Sequence, residues 1–239
     1  MTQVLEDLAE LPLGSHALSL HADADEAEDH AIRFLSGTPE GGTAIYFVND
    51  ERTSAEYNAR LADVSPGHVG CVVALGHEQV ELVDGKLRPA REVQEFFADH
   101  QDGVTAGGDT LSMYWTSTNV PEHLEYEQWF DQQPRVDSRF VCPYDLRKVP
   151  SDQATEILAE LGRHHSHVVL SSSPEPAIRL LQLFVFETAG DLPRQLAANL
   201  RWAVEQGYVH PSGPLDPLQL TPTGLALVHE WGDRTTVDW

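Results

Sequence analysis

The residues best able to do chemistry in this 239-residue chain stand at the ends of short apolar runs. Asp50 and Glu51 follow "AIYFV" at a strand-to-helix corner, where paired carboxylates could serve as acid and base or simply complement a helix dipole. A phosphate loop at such a corner needs GxxxxGK[ST], whose glycines let backbone N–H groups approach the phosphates and whose lysine reaches them. Two carboxylates would instead repel a triphosphate, so ATP hydrolysis by the P-loop route is not expected.

Further along, Tyr114 and Trp115 end an apolar run on the side where open α/β sheets bind ligands, and Trp115 would either floor a pocket or belong to the core. Glu127 lies on the helix that follows, and "CPYD" closes a later strand. Tyr144, Asp145 and Glu127 would then either converge above the sheet edge or take part in surface salt bridges. The histidines cluster only as "HHSH" (164–167) and as His16 with His21. Their spacing sets no imidazoles on one helix face, and no Cys or carboxylate stands in ligand register beside them, so no metal site is expected. "SSS" (171–173) reads as a strand end and helix cap, since no G-x-S-x-G elbow appears and no partnered base can be named. Cys71 and Cys142 lie inside apolar runs with no CxxC spacing and read as buried thiols, with redox sensing the alternative.

These residues are positioned by a regular alternation. Strands are expected over 16–22, 43–50, 68–76, 109–117, 139–145 and 167–172, and helices over 25–37, 53–64, 90–100, 120–132 and 151–163. Gly37 closes the first helix, Thr53 or Ser54 caps the second, Pro121 suits a first turn and Ser151 caps the last. Residues 78–89 read as a hairpin turning at Asp84-Gly85, and "DGVTAGG" (102–108) as a flexible link. Alternating elements with continuously apolar strands predict an α/β domain with a mostly parallel sheet covered by helices on both faces.

The composition sets limits on partners. Thirty-eight acidic residues against 15 basic ones give a net charge of −23, and Lys86 and Lys148 are the only lysines. Carboxylates in place of lysines suit a halophilic cytoplasm, where molar salt screens self-repulsion within about 3 Å. So acidic a chain is a poor generic ligand for nucleic acid at low salt. No run approaches the roughly 18 apolar residues of a membrane span, and the acidic N-terminus is unlike a signal peptide, so the expected compartment is the cytoplasm with no membrane partner.

The stretch "HALSLHADADEAEDHAIRFLSGTPEGGTAIYFVNDERTSAEYNARL", followed by "DGKLRPAREVQEFF", "LSMYWTS", "LEYEQWF" and "FVCPYDLRKV", resembles the MEDS domain, a sensory domain of methanogen and methylotroph regulators. The resemblance covers roughly residues 14–172. It rests on His16, the glycine-flanked "AIYFV" block, Trp115, the "EYE" helix from Glu125 to Glu127, and Cys142, Tyr144 and Asp145. It implies a RecA-like core without a phosphate loop and the sensing of a small organic molecule; no cofactor is expected. The ligand-contacting residues it points to are His16, Asp50, Trp115, Glu127, Tyr144 and Asp145. His21 stands where the family often has an aromatic residue, which leaves the ligand's identity open.

Past Pro174 the pattern becomes helix, helix, Pro/Gly-rich hairpin and helix, similar to part of a winged helix. The expected division is therefore a sensory α/β domain over 1–173 and a winged-helix-like extension over 174–239. From Thr188 onward six acidic residues face three arginines. Of those, Arg194 and Arg201 are the candidates for DNA contact, although the negative balance favours protein docking or dimerisation. The combined expectation is a non-enzymatic cytoplasmic sensor or transcriptional regulator of a halophilic archaeon, whose extension meets DNA, a regulatory protein or a second copy. The rival is a degenerate clock-type ATPase domain acting as a scaffold.

Overall fold

The computed structural model describes residues 2–48, 51–66, 71–75, 80–84, 86–89, 91, 94–95, 99, 104–108, 120–132, 137–211 and 213–235. Its centre is a seven-stranded, all-parallel sheet. The strands are β1 (Gln3–Val4), β2 (His16–His21), β3 (Thr43–Val48), β4 (Cys71–Leu75), β7 (Val104–Gly108), β8 (Arg139–Asp145) and β9 (His167–Val169). They lie in the order β1-β9-β2-β8-β7-β3-β4, and β5 (Val80–Val83) with β6 (Lys86–Pro89) forms a separate antiparallel hairpin. The architecture is the expected mostly parallel, RecA-like α/β fold.

Period-two alternation assigns each strand residue to a face. Ala17, Val141 and Val169 join the core beneath α1 (Ala24–Ser36) and α2 (Glu51–Val64). Leu18, Leu20, Cys142, Tyr144 and Val168 join the opposite core, which α3 (Val120–Asp131) and α4 (Ala154–His164) cover. All six residues of β2 are buried. Its three polar side chains, His16, Ser19 and His21, therefore sit where the fold must provide for them. Ser19 meets His30 Nδ1 on α1 at 2.8 Å.

Pro143 lies inside β8, between two neighbours, and the register explains why it is tolerated. Phe140 N–H donates to Ser15 and Leu146 N–H to His21, so the even-numbered amides of β8 face β2. Pro143 faces the β7 side, where pairing has already ended at Val141. Its missing N–H breaks no ladder bond.

The link expected over 102–108 is corrected at its core, because Val104–Gly108 is an inner strand between β3 and β8. Gly107 serves close packing rather than flexibility: a Cβ there would lie 2.4 Å from Val141 Cγ1 and 3.0 Å from Val141 O. Two caps also differ. Helix α2 already starts at Glu51, and Ser54 Oγ donates to Val73 O in β4 at 3.0 Å. Helix α4 starts after Gln153, and Ser151 Oγ meets His229 Nδ1 at 3.2 Å. The hairpin turn is as expected, with Asp84 at φ 53°. The strand expected over 109–117 lies outside the described residues, as does most of the helix expected over 90–100.

The C-terminal segment holds α5 (Pro176–Leu181), α6 (Ala197–Glu205) and α7 (Pro222–Thr235). The expected hairpin is reduced, among the described residues, to the isolated bridges Thr188–Pro217 and Val209–Leu220. Pro211, Pro214 and Pro217 withhold the donors a longer ladder would need. Ile178, Leu181 and Leu183 share one core with Leu18, Leu158 and Val168, so hydrophobic packing runs unbroken across position 173.

A buried arginine anchors the N-terminal side of the sheet. The Arg139 guanidinium donates to Thr105 Oγ1 at 3.1 Å, Leu11 O at 3.1 Å and Phe34 O at 2.9 Å, and burial lowers its pKa to about 10. Phe34 O belongs to the last turns of α1, where the helix dipole favours a cation. For the inner strand, replacing Gly107 with Ala forces a methyl against Val141 and should cost about 1–3 kcal/mol in urea denaturation. An unchanged midpoint would show that β7 is not packed this closely.

Candidate functional site

Parallel pairing brings the two halves of the chain together at the first residue of β2. Ser166 N–H donates to His16 O at 2.9 Å, and His16 N–H to Ser166 Oγ at 3.2 Å. His165, one residue earlier and just past α4, thereby turns its ring onto His16, with centroids 4.0 Å apart. His16 pairs with Phe140 across β8, and Cys142 lies two residues on, so both reach the same face. Glu127 enters from α3 with its side chain wholly buried.

Four donor atoms meet here. His16 Nε2 is 3.0 Å from Cys142 Sγ and 3.7 Å from Glu127 Oε2, and His165 Nε2 is 3.6 Å from the same carboxylate oxygen. One ligand-type atom from each of the four residues lies within 4.8 Å of all the others, and all four residues are buried. The tautomers follow from the other ring nitrogens. His16 Nδ1 lies 3.2 Å from His164 O and His165 Nδ1 2.7 Å from Leu161 O. Carbonyl oxygens only accept, so each Nδ1 carries its proton, and in the neutral ring each Nε2 turns a lone pair inward.

The surroundings complete the centre. The Tyr144 hydroxyl donates to Glu127 Oε1. Burial, together with the Glu127 charge, pushes the Tyr144 phenol far above its ordinary range and keeps it a donor. Phe130 closes the top, 4.9 Å from the His16 ring and 5.0 Å from Phe140, with Tyr126 stacked on it at 6.0 Å.

The other end of β2 is a second polar place. There the chain leaves β2 for β3 on one side, while β8 connects through α4 to β9 on the other, the kind of switch point where α/β sheets bind ligands. The corner into α1 reads His21-Ala22-Asp23 and is filled from within. Asp23 caps the helix by accepting from Glu26 N–H at 2.9 Å. Glu26 accepts from Ala22 N–H at 2.9 Å, Ser171 Oγ at 2.6 Å, and Ser172 N–H and Oγ at 2.5 and 2.9 Å. Burial works to raise the Glu26 pKa, but these bonds outweigh it and hold the carboxyl below its usual range. The crevice beside it, about 630 Å³, is lined by Asp23, Asp25, Glu26, Asp29, His30 and Arg33 among others.

The expected ligand contacts therefore separate. His16, Glu127 and Tyr144 converge, joined by Cys142 and His165. Asp145 stands at the far end of β8, gripped by Arg147 Nε and an Nη at 2.9 and 2.6 Å, where the guanidinium overcomes burial and keeps its pKa low. Asp50 and Trp115 lie outside the described residues. Arg194 and Arg201 are both exposed, on a 3₁₀ turn and on α6. His165 was legible only through tertiary pairing, since "HHSH" straddles a helix end and a strand start. Cys142 could have been found by its period-two alignment with Phe140 and Tyr144.

Chemically, the centre turns two imidazoles, a thiol and a carboxylate toward one point. Cys142 and Glu127 both face His16 Nε2, and Nδ1 is held by the His164 carbonyl.

No family model matches the chain, and no curated protein matches it. A solved structure from a structural study of a Pyrococcus horikoshii OT3 protein is similar at 9% identity and a TM-score of 0.45, covering 69% of this chain and 84% of that one.

His21 makes the second polar place measurable. Neither of its ring nitrogens has a hydrogen-bond partner among the described residues. Burial lowers its pKa from 6.5 to about 4, against the raising charges of Asp145 and Glu26 and together with the lowering ones of His30 and Arg147. Between those two values the unfolded chain binds a proton that the folded chain refuses, so stability falls as pH drops through that window, by roughly 3 kcal/mol. His21→Asn should remove this share of the slope in urea denaturations from pH 7 to 4, leaving the contributions of His30 and His167. An identical slope in the variant would contradict the buried neutral imidazole.

Proposed function

We propose that this chain is a non-enzymatic, cytoplasmic sensor or regulator, an α/β domain that binds a small organic molecule and passes its state to the C-terminal segment. The observation that carries the reading is Glu26. A helix N-terminus at a sheet switch point is a ready-made phosphate site. In this chain a carboxylate takes the place a phosphate would fill. The same carboxylate holds Ser171 and Ser172, the residues that lead into α5. What a nucleotide-hydrolysing domain would use for phosphates is thus a fixed link between the start of α1 and the C-terminal segment.

The resemblance of residues 14–172 to a sensory domain without a phosphate loop supports the same reading. Within it, the expected ligand contacts are the cluster formed by His16, Glu127 and Tyr144, and the output is contact of the C-terminal segment with DNA, a regulatory protein or a second copy. A scaffold role is the second reading. It is favoured by an open groove of about 670 Å³ between α3, α4 and the C-terminal segment, lined by Leu124, Gln128, Thr155, Phe184, Pro217 and Leu218.

Thermal unfolding in molar KCl against Mg-nucleotides, small organic metabolites and duplex DNA tests the proposal, because a ligand of the folded state raises the midpoint. At a hundredfold excess over Kd the gain is about 2.7 kcal/mol. A shift with a small organic molecule and none with Mg-ATP is the expected result. A shift with Mg-ATP alone would overturn the account of Glu26, and the absence of any shift would favour the scaffold.

A further inference from the structure

We propose that His16, Cys142, His165 and Glu127 together bind one zinc ion in a closed tetrahedral site. The donor set is two imidazoles, one thiol and one carboxylate, the nitrogen, sulfur and oxygen types that zinc takes. A tetrahedral ion with Zn–N and Zn–O near 2.0–2.1 Å and Zn–S near 2.3 Å sets its ligand atoms about 3.3–3.6 Å apart. The two imidazole-to-carboxylate separations, 3.7 and 3.6 Å, would close by about 0.3 Å, the 3.0 Å His16–Cys142 contact would open by about half an ångström, and the whole set, now within 4.8 Å, would contract onto the ion.

Three further features fit a metal centre rather than an ordinary polar core. Both imidazoles are held by backbone carbonyls at Nδ1, which fixes each ring with its Nε2 lone pair toward the shared point. Tyr144 orients the carboxylate through the oxygen that the ion would not use. The aromatic cover of Tyr126, Phe130 and Phe140 keeps the surroundings apolar. Binding replaces the Cys142 S–H bond with a Zn–S bond and releases the proton to water, with nothing oxidised or reduced. The +2 ion, one thiolate and one carboxylate then sum to zero, the condition for burying them together. Four protein ligands leave no open position for water, so the ion would clamp α3 to β2, β8 and the α4–β9 junction rather than hydrolyse a substrate.

This assignment claims His16 and Glu127, which the sensory reading uses as ligand contacts, so a metabolite of the zinc-loaded chain would bind elsewhere; metal content and metabolite binding are read separately, and either can fail without the other. Elemental analysis of the purified chain should find one zinc per chain. Cobalt(II) in its place should give strong tetrahedral visible bands and a thiolate-to-cobalt charge-transfer band. Cys142→Ser should lose that band and His165→Gln most of the bound metal, whereas Cys71→Ser keeps both. Tyr144→Phe should retain the ion with affinity weakened about 10–100-fold. A wild-type chain that holds no zinc and gives no cobalt spectrum would overturn the proposal, as would a thiolate band that survives Cys142→Ser. If circular dichroism shows Cys142→Ser unfolded, the Cys71→Ser chain decides alone. Cys142 is then its one thiol, and a cobalt complex without the thiolate band rules the site out.

Discussion

Glu127 places a carboxylate between α3 and the sheet with no exposure to solvent. Moving such a charge out of water costs several kcal/mol unless surrounding groups stabilise it. The groups that face it come from distant parts of the chain: the Tyr144 hydroxyl on β8, His16 at the start of β2, and His165 after α4. The Tyr144 hydroxyl donates to it, whereas the inward Nε2 lone pairs of neutral His16 and His165 repel it unless a cation lies between. Assembling the centre therefore requires the parallel β2–β8 and β2–β9 pairings to be in register. A one-residue slip would turn Cys142 and Tyr144 to the opposite face. The polar centre and the topology specify each other.

The same strand carries a second polar problem at its other end. His21 is kept neutral by burial, while Asp145 and Glu26 are kept ionised by Arg147 and by serine and backbone donors. Both ends of β2 reach the C-terminal half of the chain, through Ser166 at one and Ser171–Ser172 at the other. With hydrophobic packing continuous from Leu18 to Ile178, a change at either end has a direct mechanical route to α5.

Much of the fold was legible because alternation and apolar runs are local signals. β2, β3, β8 and α3 fall close to where periodicity puts them. The failures have physical causes. The glycines of β7 look like a flexible link, because sequence alone cannot show that Val141 needs the space at Gly107. Ser54 and Ser151 look like caps until their hydroxyls find Val73 and His229. The site was half legible. His16, Glu127 and Tyr144 were singled out, but His165 joins them only through a strand pairing that spans some 150 residues of sequence, which no local spacing encodes. Asp50, at the corner after β3, lies outside the described residues, and the polar corner that the structure describes follows β2.

Whether the four buried donors act together on one ion is read by zinc K-edge X-ray absorption of the purified protein. The expected spectrum is a four-coordinate shell with one sulfur at about 2.3 Å and three nitrogen or oxygen atoms at about 2.0–2.1 Å. A shell without sulfur, with several sulfurs, or with six light atoms would contradict it.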